Sequence, residues 1–184
     1  MGGFFVMAFA TAHPERVRRL ILAGSPAGLF RELPLFLRMW ANPVIGPLIS
    51  RLRIRDVEML RKRVYSGYVA HPERIPTDVL EVALAGMGIA GTSHATQTML
   101  HAVTTLRGLR PELQMQDHMA TLQVPTLFTW GEDDRIAAPS IGHDLAERMS
   151  DAKFTVIEDA GHIPHIDQPA AMAEAINRSL RASD

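Results

Sequence analysis

Residues 124–135 read VPTLFTWGEDDR, and this stretch decides the fold class. The run 124–130 is apolar and rich in β-branched and aromatic residues, the composition of a strand, and Pro125 is tolerated near its start. It empties into Gly131-Glu132-Asp133-Asp134-Arg135. A second run, residues 153–157 (KFTVI), reads as a strand and empties into Glu158-Asp159-Ala160-Gly161-His162. Between the two lies a helix over 139–149, with proline in its first turn. Beyond them a helix begins near Pro169 and carries Met172, Ile176 and Leu180 at four-residue spacing, one face of a helix. Strand, helix, strand, helix is the rhythm of a parallel α/β sheet.

Towards the N-terminus, residues 17–24 (VRRLILAG) read as a further strand, its Leu20, Ile21, Leu22 and Ala23 covered on both faces. Residues 3–13 form a helix apolar on nearly every side, which reads as buried. His13-Pro14 ends it, because proline disfavours helix in the residue before it. This segment lacks the basic region that opens a signal peptide, and it falls far short of the ~20 apolar residues of a membrane span. Val6 stands where N-myristoylation requires Ser or Thr.

From Ser25 to about His118 strand-like runs are absent, and helices are expected over 55–70, 77–90 and 93–106. Shorter turns at Leu33-Pro34 and Asn42-Pro43 precede them. The expected organisation is a first helix and strand (1–25), a helical cap or lid insertion (26–118) and an α/β core (119–184), with about three parallel strands in all. Joints at Pro43, Gly46-Pro47, Pro76, Gly91 and Pro111 suit a mobile lid. The string Ala-His-Pro-Glu-Arg occurs at Ala12 and again at Ala70, without a wider period; it is helix-stop chemistry, not a repeat.

A chain of 184 residues with 47 % hydrophobic and 21 % charged residues fits one globular domain. A formal net charge of -1 offers no polybasic face for nucleic acid or anionic membrane, so the expected partner is a small-molecule substrate. Absence of cysteine excludes disulfides, thiolate–zinc sites and a cysteine nucleophile in this chain, and fits a cytoplasmic location.

Both strand-ending loops leave the C-terminal edge of one sheet, where ligands bind in open α/β folds. An acid (Asp134 or its neighbour Asp133) and a histidine (His162) are thereby brought to that edge. A histidine acting as general base needs its tautomer fixed by a carboxylate or carbonyl, the role an acid here would have.

Three segments, TLFTWGEDDRI, DAGHIPHIDQP and MGGFFVMAFATAHPERVRRLILAGSPAG, together resemble the α/β-hydrolase family, in its order and spacing. The resemblance implies that Gly2 is the last glycine of a G-x-S-x-G nucleophile elbow and that Met1 follows the nucleophile. The backbone N–H of Met1 would then help form the oxyanion hole, His162 would be the general base, and Asp134 would orient it. The family spacing of glycine, two residues, aspartate selects Asp134 over Asp133. Some members carry the acid after the preceding strand, but here that place reads Gly24-Ser25-Pro26-Ala27 and has no carboxylate. The implied activity is cofactor-free hydrolysis of an ester, or of a carbon–carbon bond in an oxo-acid, by a Ser-His-Asp triad. This chain alone is expected to be inactive, lacking the nucleophile. Two alternatives stand beside it: a non-catalytic remnant or interaction module pairing through the edge at Leu20, Ile21 and Leu22, and a dehalogenase or epoxide hydrolase if the nucleophile is an aspartate.

Internal serines fit less well. Gly91-Thr92-Ser93-His94-Ala95 matches the elbow loosely but follows no strand, so Ser93 reads as a helix cap. Ser25 is followed by proline and lacks the elbow spacing. His165 lies three residues from His162 with no third metal ligand suitably spaced, and reads as packing. Trp40, Tyr65 and Tyr68 are candidate pocket residues, with core packing as the competing reading. Met59, Met87, Met99 and Met115 suit a pliable pocket or plain core filling. Arg51, Arg53, Arg55, Arg61, Lys62 and Arg63 form a basic cluster, read as a solvated face, with attraction of a carboxylate-bearing substrate as the alternative. Glu132, Asp133, Glu158 and Asp159 read as solvated loop charges.

Overall fold

The computed structural model describes residues 2–51, 54–105 and 107–181. In chain order the elements are α1 (Gly2–Ala12), β1 (Leu20–Ala23), α2 (Leu35–Ala41), α3 (Gly46–Ile49), α4 (Val57–Arg63), α5 (Thr77–Gly88), α6 (Thr92–Val103), β2 (Thr104–Thr105), β3 (Gly108–Leu109), α7 (Gln116–Ala120), β4 (Thr126–Gly131), α8 (Pro139–Arg148), β5 (Ala152–Ile157), α9 (Pro164–Asp167) and α10 (Pro169–Arg181). Strands β1, β4 and β5 form one parallel sheet in the order β1-β4-β5, with Leu20 opposite Thr126 and Gly131 opposite Ile157. No helix among the described residues is long and apolar enough to cross a membrane.

The central strand β4 is buried along its whole length, as its composition requires. Its two threonines enter the core because their hydroxyls are satisfied: Thr126 donates to the Val124 carbonyl (2.8 Å) and Thr129 to the Leu22 carbonyl (3.1 Å). Trp130 donates from Nε1 to the Ala137 carbonyl (2.9 Å), which pins the loop carrying Asp134 against the strand. Phe128 and Trp130 pack with Met7, Leu22, Met119 and Leu145 in the main core. Cutting Phe128 back to alanine removes a fully buried ring from this core and should cost about 3–5 kcal/mol of unfolding free energy. Denaturant unfolding checks this, and a loss under about 1 kcal/mol would mean the core collapses around the void.

Where the structure departs from the sequence reading, the reasons are local. Helix α1 buries Met7 and Ala10 against the sheet and α7, while Phe5, Val6 and Phe9 face outward. A sheet of three strands covers only one side of it, so the all-round apolar composition overstates its burial. For the same reason β1 buries Leu20 and Leu22, but Ala23 on its other face is exposed. The expected helix over 55–70 is shorter. Asp56 caps its start, accepting from the Met59 N–H (2.8 Å), and it ends at Arg63 before a 3₁₀ turn over Tyr65–Gly67, where Gly67 is poor in a helix.

The stretches read as turns near residues 34 and 43 each lead into a short helix, α2 and α3. Residues 26–118 also contain strand: β2 and β3 pair antiparallel through Thr105 and Gly108. Two residues per strand leave no periodicity to read. Ser93 is exposed in the first turn of α6, whose cap is Gly91, held left-handed at φ +89°. Along α10, Met172 is buried and Ile176 packs beside it, but Leu180 is exposed near the end of the helix.

Candidate functional site

The loop after β4 and the loop after β5 meet because their strands are hydrogen-bonded neighbours running the same way. Asp134 lies at the end of the first, its side chain wholly removed from solvent. One carboxylate oxygen, Oδ1, accepts from the N–H groups of Ile136 (2.8 Å) and Ala137 (3.2 Å). The other, Oδ2, lies 3.1 Å from His162 Nδ1. Burial alone raises the Asp134 pKa, but hydrogen bonds from His162 and Ser25, the His162 charge and the Ile136 N–H outweigh it and hold the carboxyl below its usual range. It is therefore ionised at neutral pH, and an ionised acceptor makes Nδ1 the protonated nitrogen. Nε2, which has no hydrogen-bond partner among the described residues, is left as the basic atom.

Asp133 and Glu132 are exposed on the same loop. The structure thus brings Asp134, and not its rival, to His162. Ser25, read from the sequence only as unfit to be a nucleophile, is part of the site in another capacity. Its Oγ lies 2.8 Å from the same Nδ1, in a buried position at the end of β1. With two acceptors on Nδ1, Ser25 faces the wrong ring nitrogen for a nucleophile and instead braces the pair. The sheet order carries the signal for it, since β1 adjoins β4 and the residue after Gly24 must emerge beside Asp134. Gly24 makes that turn at φ +73°, and a Cβ there would collide with the His162 carbonyl oxygen.

Of the three pocket candidates, only Tyr68 reaches the site. Its ring centroid lies 5.8 Å from that of His162, and burial pushes its phenol above the usual pKa, so it is neutral. Tyr65 packs with a separate apolar cluster around Leu60 and Val69. Trp40 stacks near Phe36 on α2 and donates to Ser50 Oγ (2.9 Å). His165 is exposed on α9. Met115 is buried in the main core, and Met87 is exposed. From the basic cluster, Arg61 turns inward to cap the carbonyls of Pro72 and Ile75. Met1, the expected oxyanion donor, and Arg53 lie outside the described residues.

Asp159 is not a free loop charge. It takes a left-handed backbone at φ +54° and is bonded by His71 Nε2, Arg74 (3.2 Å) and Gln168 (2.9 Å). The hydrogen bond to Asp159 raises the His71 pKa, and the same bond lowers that of Asp159. A raised His71 pKa contributes stability that is fully present below its unfolded value of about 6.5 and is lost as pH rises through the folded value. The lowered Asp159 pKa contributes above about pH 3.9 and is lost as pH falls through its folded value. The pair should therefore stabilise most between about pH 4 and about pH 6.5. The melting temperature of wild type minus that of His71→Gln is expected to be small, greatest near about pH 5.5, and to vanish once pH has risen through the folded His71 value, or in high salt. A difference that stays constant across that range would refute the assignment.

Residues 1–169 match the serine aminopeptidase S33 family. Among curated relatives the chain is 24 % identical over 173 residues to a pimeloyl-[acyl-carrier protein] methyl ester esterase of Neisseria meningitidis serogroup B, covering 94 % of this chain and 63 % of that protein. It is 26 % identical over 189 residues to a 2-hydroxy-6-oxononadienedioate/2-hydroxy-6-oxononatrienedioate hydrolase of Comamonas testosteroni, covering 97 % of this chain and 58 % of that protein. The chain thus spans about three fifths of the length of these relatives. Among solved structures it superposes on a 2-hydroxy-6-oxo-6-phenylhexa-2,4-dienoate hydrolase from a Rhodococcus species with a TM-score of 0.73 and 18 % identity, over 98 % of this chain and 61 % of that one. A meta-cleavage product hydrolase from Pseudomonas fluorescens gives 0.72 and 16 %, over 99 % of this chain and 62 % of that one. With the family matched over most of its length and the fold shared with solved hydrolases, the chain belongs to the serine aminopeptidase S33 family of α/β-hydrolases.

Proposed function

We propose that this chain carries the acid and base of a serine hydrolase that cleaves a carboxylic ester, or a carbon–carbon bond beside a ketone in an oxo-acid. The observation that carries the reading is the 3.1 Å contact between His162 Nδ1 and the buried carboxylate of Asp134, at the C-terminal ends of adjacent parallel strands. The activities named for the relatives, one an ester hydrolase and the other an oxo-acid hydrolase, support both bond types.

In this reading the nucleophile is a serine placed just before Met1, in an elbow whose last glycine is Gly2. His162 Nε2 takes the hydroxyl proton as the serine oxygen attacks the carbonyl carbon. It returns that proton to the leaving alkoxide or carbanion as the tetrahedral adduct collapses to an acyl-enzyme. Nε2 then takes a proton from water as the water oxygen attacks the acyl carbon, and returns it to the serine oxygen as the acyl–serine bond breaks and the acid is released. The imidazolium formed in each half is stabilised by Asp134, which stays ionised throughout. The helical insertion supplies the pocket, with Tyr68 closing over the histidine. No cofactor enters, and the 184-residue chain by itself turns over no ester.

The test is to read the codons upstream of Met1 and assay the protein that they extend against p-nitrophenyl esters and an oxo-dienoate. In-frame codons ending in Gly-x-Ser, with turnover by the extended protein, are the expected result. Gly-x-Asp would move the chemistry to dehalogenation or epoxide opening. An in-frame stop would overturn the catalytic reading.

A further inference from the structure

Asp167 is buried, yet it lies outside the acid–histidine pair. An aspartate just before a helix ordinarily caps it, and α10 begins two residues on. Its carboxylate instead turns the other way. Oδ2 accepts from the N–H groups of Gly161 (2.8 Å) and Ala70 (2.9 Å), and Oδ1 accepts from the N–H of His71 (3.0 Å). Gly161 adjoins His162, and residues 70–71 belong to the helical insertion. One buried charge is therefore solvated by backbone donors from two segments ninety residues apart in the chain.

Three further observations converge on the same seam. The Ile163 N–H donates to the Tyr68 carbonyl (3.2 Å). A Cβ on Gly161 would come within 2.8 Å of the Tyr68 carbonyl oxygen and 2.9 Å of the Ala70 nitrogen, so the two backbones pass in direct contact. Ile163 and Ile166 pack into the insertion's core around Leu60, Val69, Ile75 and Leu80.

We propose that Asp167 is a positioning residue that clips residues 70–71 of the insertion to the histidine loop and thereby fixes the height of the His162 ring against Asp134. The kinetic part of this inference rests on the hydrolase reading above; the structural part does not. It also makes this end of the insertion a fixed wall of the site, so that any opening of the insertion takes place away from residues 68–71.

The experiment uses Asp167→Asn, which keeps the shape but removes the charge and places an amide N–H among three donors. Amide exchange at Ala70, His71 and Gly161 in the 184-residue chain should speed up by about tenfold or more, and the His162 ring resonances should move. In the extended, active enzyme kcat should fall by between about tenfold and about hundredfold, with KM held within about twofold. Unchanged exchange and unchanged His162 resonances would overturn the proposal. Faster exchange with an unmoved His162 ring and unchanged kcat would overturn the positioning role, leaving a purely structural clip. If His162→Ala leaves turnover intact, the hydrolase reading fails, while moved His162 resonances in Asp167→Asn still uphold the clip. Should Asp167→Asn fail to fold, wild-type exchange decides. Ala70, His71 and Gly161 must share one level of protection, and unrelated rates at the three sites would overturn the clip.

Discussion

Replacing His162 by alanine should lower kcat by about 10⁶-fold in the extended enzyme, the loss seen when a triad's base is removed. The chain should still fold. His162 is a half-buried side chain whose contacts are few: Nδ1 bonds to Asp134 and Ser25, and the ring lies near Tyr68. Its removal leaves Asp134 Oδ2 without one donor in a buried site, a penalty of about 1–3 kcal/mol. Part of this is offset, because Ser25 already bonds to the same carboxyl and the loop donors on Oδ1 are untouched. The measurement pairs steady-state kinetics with thermal melting of the same preparation. Turnover falling by less than about a hundredfold would mean that another group serves as base, and the reading of this site would fail.

Much of the architecture is legible in the sequence because long, buried elements carry periodic signals. Strands β4 and β5 and helices α5, α8 and α10 lie within a few residues of their expected places, since each carries an apolar run and all but β5 have a proline or glycine at a boundary. The fold class follows from their alternation. Of the elements of two to four residues, β1 is legible from its apolar run, but β2, β3, α3 and α9 are not, because one turn of helix or one bridge pair repeats nothing. Burial is misjudged for α1 and β1 for a different reason. Composition gives a segment's tolerance for burial, whereas its actual exposure depends on what packs on its second face.

The site divides along the same line. His162 and Asp134 stand out because each follows a strand and a glycine, and the sheet alone brings them to one edge. Ser25 does not, because its signal is not local. Nothing in Gly24-Ser25-Pro26 announces a role until the order β1-β4-β5 places it beside Asp134. Asp159 reads as an ordinary loop charge, and Asp167 carries no local signal, for the same reason. Their partners, Ala70, His71 and Arg74, lie some ninety residues away, in a segment whose docking no spacing rule encodes. Tyr68 and Tyr65 show the limit within three residues: one faces His162, the other the insertion's core, and a 3₁₀ turn instead of a continued α-helix sets which is which.

Asp134→Asn should cost about 10⁴-fold in kcat, by the tautomer it imposes. The amide could in principle present either its oxygen or its NH₂ to His162. The loop settles the choice. Ile136 and Ala137 both donate N–H to the position of Oδ1, at 2.8 and 3.2 Å, and only the amide oxygen can accept there. The NH₂ then faces His162 Nδ1 and donates to it. Nδ1 becomes the acceptor, the proton moves to Nε2, and the atom that should receive the nucleophile's proton no longer has a lone pair to do so. Folding survives, because the substitution is isosteric and keeps both loop hydrogen bonds. It also removes a carboxyl held below its usual pKa, whose stabilising contribution is present above about pH 3.9 and is lost as pH falls through the folded value. The variant should accordingly be less stable than wild type at neutral pH, with the gap closing as pH falls through the folded value. Asp133→Asn is the internal control, since that side chain is exposed and should leave kcat within about twofold of wild type. The decisive readings are kcat for the two variants and the ¹⁵N shifts of the His162 ring, which report the protonated nitrogen directly. If Asp133→Asn is the more damaging change, or if the His162 ring in Asp134→Asn keeps its proton on Nδ1, the acid of this site has been misassigned.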